Sequence, residues 1–153
     1  MRCIECGGQG TAGCAELFDR LLALDHSRQP PWGPLHSVAV ACYRLQHESA
    51  LPLVDRTHML ALAHAYVDGG EPSLRALTDR ITRANSHRAR TAGRPMLPEF
   101  ADFVALAEVA APRVFAYTIA DVALDGGFPA DGYAERIRAW AEAALAAWQQ
   151  PST

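Results

Sequence analysis

The chain has no lysine; all fourteen of its basic residues are arginine. Arginine is the side chain for bidentate recognition of carboxylate and phosphate. Alanine is abundant as well, however, and a GC-rich genome both replaces lysine codons with arginine and enriches alanine. The absence therefore points to an actinobacterium-like source before it points to a binding function. An excess of positive charge is also missing. Fourteen basic residues stand against seventeen acidic ones, a net charge of −3, which argues against nucleic acid as a partner. No apolar run reaches the roughly 18 residues of a membrane span, so no membrane partner is expected. The N-terminus lacks the apolar stretch of a signal peptide, so a cytoplasmic location is expected. Cysteine is scarce, four residues in 153. In a reducing compartment a close cysteine pair is a metal clamp or a redox pair before it is a structural disulfide.

Against these absences stands the opening Cys3-Ile4-Glu5-Cys6-Gly7-Gly8. A Cys-x-x-Cys closed by glycine is half of a zinc knuckle, with two thiolates on one tight turn. A redox pair needs a helix starting directly after the first cysteine, in a βαβ context. Here four glycines follow by position 13 and no βαβ pattern is present, so metal is favoured over redox. No second Cys-x-x-Cys follows, and the remaining ligands must come from elsewhere. His36, His47 and His58, spaced by eleven, are the candidates.

The length and an apolar content of one half suit one ordinary globular domain spanning 1–153, long enough to bury a core. The periodicity predicts an all-α bundle of five or six helices. Apolar stripes run over 14–25, 35–47 and 54–67, the last ended by Gly69-Gly70. Pro72 opens a further helix to about Asn85. Residues 98–111 read as a helix broken by Pro112, and Thr118 as the cap of a short turn over 119–124. The last helix, from about Asp131 to Gln149, carries Ile137, Trp140, Ala144, Leu145 and Trp148 on one stripe. Residues 1–13 read as a metal-binding turn and 86–97 as an arginine-rich loop.

The ordered motifs resemble those of a family of small bacterial Cys/His proteins, the domain of unknown function 5946 family. The resemblance is carried by Cys3-Ile4-Glu5-Cys6-Gly7, by Gly13-Cys14-Ala15, and by the run from His36 through Tyr43 and Gln46 to His47. His58-Met59-Leu60, Thr118-Ile119-Ala120-Asp121-Val122, Trp140 and Trp148 follow in order. It covers nearly the whole chain. Ala41 stands where the family has an aspartate, Glu48 where it has a proline, and Gly8-Gln9-Gly10-Thr11 where it often has Gly-Pro-Thr-His. Chemistry resting on those family residues is absent here. The resemblance implies a fold and a metal site, not a reaction.

Geometry separates the histidines. Eleven residues of helix place His36 and His47 about 16 Å apart along the axis, too far to share an ion with bonds of about 2 Å. In an up-and-down bundle the start of the first helix, the end of the second and the start of the third lie together. Cys3, Cys6, His47 and His58 therefore converge as a zinc Cys2His2 set, with His36 at the opposite end. Cys14 and Cys42, both on apolar stripes, read as core.

Three functions fit. In the first, four protein ligands close the site and zinc is mainly structural. In the second, the chain is a small zinc-dependent enzyme with an open metal position, acting on an unidentified small molecule, with Glu5 or Glu48 as the nearest base. In the third, it is a protein-binding module using the arginines between Asp79 and Glu99 or an exposed Trp32. The structural zinc reading ranks first.

Overall fold

The computed structural model describes residues 2–47, 51–88, 97–112 and 114–149. Glu48 and all but the edges of the arginine-rich loop lie outside them. Among the described residues the chain forms six α-helices and no strand. They are α1 (Cys14–His26), α2 (His36–His47), α3 (Leu53–Arg88), α4 (Val104–Ala107), α5 (Ile119–Val122) and α6 (Tyr133–Gln149), with 3-10 turns at Gly33–Leu35 and Pro98–Phe103.

The helices form where the apolar spacing is helical, and each buries its stripe. α2 packs against α3 and α6, and α3 against α6. Val38, Ala39, Ala41, Cys42 and Leu45 are the inward face of α2. Ile137, Trp140, Ala141, Ala144, Leu145 and Trp148 are that of α6. Both tryptophan rings are buried, and both indole N–H groups are satisfied by α2. Trp140 Nε1 donates to Gln46 Oε1 at 2.8 Å, and Trp148 Nε1 donates to the Leu45 carbonyl at 3.0 Å. Burial of such amphipathic rings with a polar partner gives packing and orientation together.

One element differs from the expectation and another agrees with it. Residues 98–111 do not form one helix. A 3-10 turn leads into a single turn of α-helix that ends at Ala107, because Phe100 and Ala107 are the positions that find burial. The long α3 is interrupted at Gly70 (φ 70°, ψ −162°), just before Pro72, so two helical segments meet at the expected boundary. A second departure concerns Trp32. It is half-buried, its Nε1 donates to the Phe128 carbonyl at 2.8 Å, and its ring leans on Tyr133. It is a packing residue, not an exposed recognition aromatic.

Candidate metal centre

The N-terminal turn is built by backbone hydrogen bonds. Gly7 N–H donates to the Cys3 carbonyl at 3.0 Å and Cys3 N–H to the Gly8 carbonyl at 2.8 Å. Gly7 sits at φ 78°, in the left-handed region that closes such a turn cheaply only with glycine. Gly8 N–H then points at Cys6 Sγ, 3.3 Å away. This leaves both cysteine side chains on one side of the turn, with a backbone dipole aimed at one sulfur.

The turn is docked, not frayed. Phe115 N–H donates to the Cys6 carbonyl at 3.3 Å. Gly8 lies so close to Thr118 that an added Cβ would collide with its side chain. Thr118 is buried as the N-cap of α5, its own N–H bonded to Asp121 Oδ2 at 2.8 Å. The Thr-x-x-Asp capping box thus provides the surface on which the Cys-x-x-Cys turn rests.

Four potential ligands meet there. Cys3, Cys6, Cys14 and His47 each offer an atom, and these atoms all lie within 4.8 Å of one another. Three of the four residues expected together, Cys3, Cys6 and His47, are together. His58 is not with them. It is buried on α3 with its ring 4.2 Å from that of Phe100. Cys14 stands in the group instead. As the first residue of α1, behind the N-cap Gly13, it projects back toward the preceding turn, as helical Cβ vectors do. Its place on an apolar stripe concealed this. The telling signal was its position at the helix start, directly after the glycine-rich turn.

His47 is oriented by its own helix. Its Nδ1 donates to the Tyr43 carbonyl at 2.9 Å, which leaves the lone pair on Nε2. That Nε2 is buried without a hydrogen-bond partner. The ring is held in a stack: Phe18 on Tyr43 at 3.9 Å between centroids, and Tyr43 on His47 at 4.1 Å. Burial, with help from nearby Cys14, pushes the Tyr43 phenol up to about 12, so the hydroxyl stays neutral.

The sulfurs are electrostatically unequal. Cys6 and Cys14 Sγ are 3.8 Å apart. Without a metal, the Cys14 thiol donates to Cys6 and drives it down to about 4, against burial, with His47 and Gly8 N–H helping. Cys14 is raised by the same contact, then by burial and the other cysteines. Burial pulls His47 down, but Cys6 and the Tyr43 carbonyl outweigh it, and the net shift is upward. The 3.8 Å separation matches the edge of a tetrahedron with metal–sulfur bonds of about 2.3 Å. A cation among these groups would replace a shared proton with a shared ion.

The other candidates lie elsewhere. Gln46 is structural, with Nε2 on the Tyr117 carbonyl at 2.9 Å and Oε1 taken by Trp140. Cys42 is buried in the core, where burial raises its thiol. His36 is at the far end of α2 from His47, hydrogen-bonded to Asp25. Of the arginines, Arg80 pairs with Glu99 at 3.1 Å.

An all-helical bundle closed at one end by a zinc-knuckle-like turn, with a Cys/His cluster between them, defines the class. The chain belongs to a family of unknown function, DUF5946, which it matches over residues 1–149. No curated protein and no solved structure matches it. No helix among the described residues is long and apolar enough to cross a membrane.

Proposed function

We propose that the chain is a zinc-binding helical domain whose metal is mainly structural, held by Cys3, Cys6, Cys14 and His47. The observation that carries this is the His47 ring. Its Nδ1 is committed to a backbone carbonyl, and its Nε2 is buried with no partner beside three cysteines. A buried unsatisfied nitrogen costs roughly 1–3 kcal/mol, a penalty that a metal bond removes. Soft thiolates with one imidazole favour zinc over magnesium or calcium, which take oxygen.

The structural role follows from where the ligands sit. Two lie on the N-terminal turn, one opens α1 and one closes α2. An ion there would tie 1–13 to two helices, and the glycine-rich turn has little apolar surface with which to do so itself. Four protein donors fill a tetrahedron and leave no position for substrate, so the enzyme reading ranks below. Elemental analysis of the purified chain should find one zinc per chain, reduced well below that in Cys6→Ser. Protein purified without chelator that carries no stoichiometric transition metal would overturn the proposal.

A further inference from the structure

At the end of the bundle remote from the cysteines, a cavity of about 560 Å³ is lined by Asp25, His26, Arg28, Gly33, Pro34 and His36. Its construction is specific. Asp25, the penultimate residue of α1, has a fully buried side chain, while that of His36, the first residue of α2, is 43% exposed. His36 Nδ1 donates to Asp25 Oδ2 at 2.9 Å. The imidazole is thus backed by a buried carboxylate and turned outward. Its far nitrogen, Nε2, makes no hydrogen bond among the described residues. The exposed His26 ring lies 6.1 Å from that of His36. Arg28 joins the same wall from the connecting loop, its backbone N–H anchored on the Asp25 carbonyl at 3.1 Å.

We propose that this cavity is a second ligand site, which takes a small oxyanion, a phosphate or carboxylate group, on His36 and Arg28. The charges on its wall decide the sign. The one carboxylate is buried: its Oδ2 is engaged with His36, and its Oδ1, though unpartnered, is shut off from solvent, so it offers little to a ligand. The other titratable residues of the wall, His26, Arg28 and His36, are basic, and the fixed positive charge of Arg28 disfavours a metal ion there. Asp25 raises the affinity of His36 for a proton, against a smaller opposing effect of burial, and so favours the imidazolium that carries N–H on both nitrogens. The fourth titratable group near the carboxylate is Tyr133 of α6, which burial keeps neutral, with a further upward push from Asp25. Charge-assisted bonds from imidazolium and guanidinium to one oxyanion are short and directional. Nothing in this arrangement depends on the metal centre.

The alternative is that the Asp25–His36 bond is only a tether across the loop between α1 and α2. Titration of the full-length, metal-replete chain with inorganic phosphate at low ionic strength separates the two. Imidazole resonances followed by nitrogen-15 NMR should show a saturable shift at His36. Arg28→Gln should weaken that shift, and His36→Asn should weaken phosphate binding read by calorimetric titration, each by about tenfold or more, the scale of one charge-assisted hydrogen bond. Asparagine keeps a donor for Asp25, and the exposed Arg28 can be changed without touching the core, so both variants should fold. A His36 signal unmoved by phosphate, or variants that bind as well as the parent, would overturn the proposal. Titration with acetate then shows whether the site takes carboxylates as well or phosphate alone.

Discussion

At the scale of the single residue, the informative comparison is between Cys14 and His58. Both are chemically able to bind zinc, and both were in reach of a topological argument that gathers helix ends. That argument places a residue at an end of the bundle but says nothing about the direction in which its side chain leaves the helix. Cys14 points back off the first turn of α1 into the cluster; His58 points inward against Phe100. The ligand count can be read directly. Cobalt substituted for zinc gives a sulfur-to-metal charge-transfer band whose intensity follows the number of bound thiolates. Cys14→Ser should remove about a third of that intensity, since one of three thiolates is lost, and weaken metal binding. An unchanged band in Cys14→Ser, or a band of two-thiolate intensity in the parent chain, would show that Cys14 is not a ligand.

At the scale of the element, most of the helices were legible because their burial is periodic. The α6 stripe from Ile137 to Trp148 and the α2 stripe from Val38 to Leu45 were readable from spacing alone. So was the break before Pro72, from Gly69-Gly70. What could not be read depended on partners distant in sequence. Residues 98–107 carry apolar side chains at helical spacing, yet form a 3-10 turn and one α-turn against α3. The Asp25–His36 bond crosses a loop whose path no periodicity describes. Nor does any local pattern show that Gln46 is the acceptor for Trp140. That bond makes the α2–α6 contact testable. Trp140→Ala should cost roughly 3–5 kcal/mol in denaturant unfolding through lost packing. Trp140→Phe keeps an aromatic ring but strands Gln46 Oε1 and should cost about 1–3 kcal/mol. Equal losses in the two variants would mean that the hydrogen bond, not the ring, dominates the contact.

At the scale of the whole molecule, the two ends of α2 do different work. His47 closes one end of the helix onto the cysteine turn, and His36 opens the other toward the cavity. The main core, formed by α2, α3 and α6 around Trp140 and Trp148, is made largely of other residues: of the four candidate ligands only Cys6 is among its buried apolar members, with Cys3 and Cys14 packed on its margin. Metal removal should therefore lower stability without dissolving the bundle. A ligand present at a thousand times its dissociation constant stabilises the folded state by about 4 kcal/mol. For a chain of this size each kcal/mol moves the melting temperature by about 2–4 °C. A strong chelator should thus lower it by about 8–16 °C, while the far-ultraviolet helical signal at room temperature stays nearly constant. The effect also has a required pH dependence. Thiols release protons when they bind zinc, so acid competes with the metal, and the chelator-sensitive part of the melting temperature should shrink as pH falls from 8 toward 5. A catalytic zinc in an open site predicts the reverse pairing: an activity lost on chelation, with the melting temperature little changed. Thermal scans with and without chelator across that pH range decide between the two.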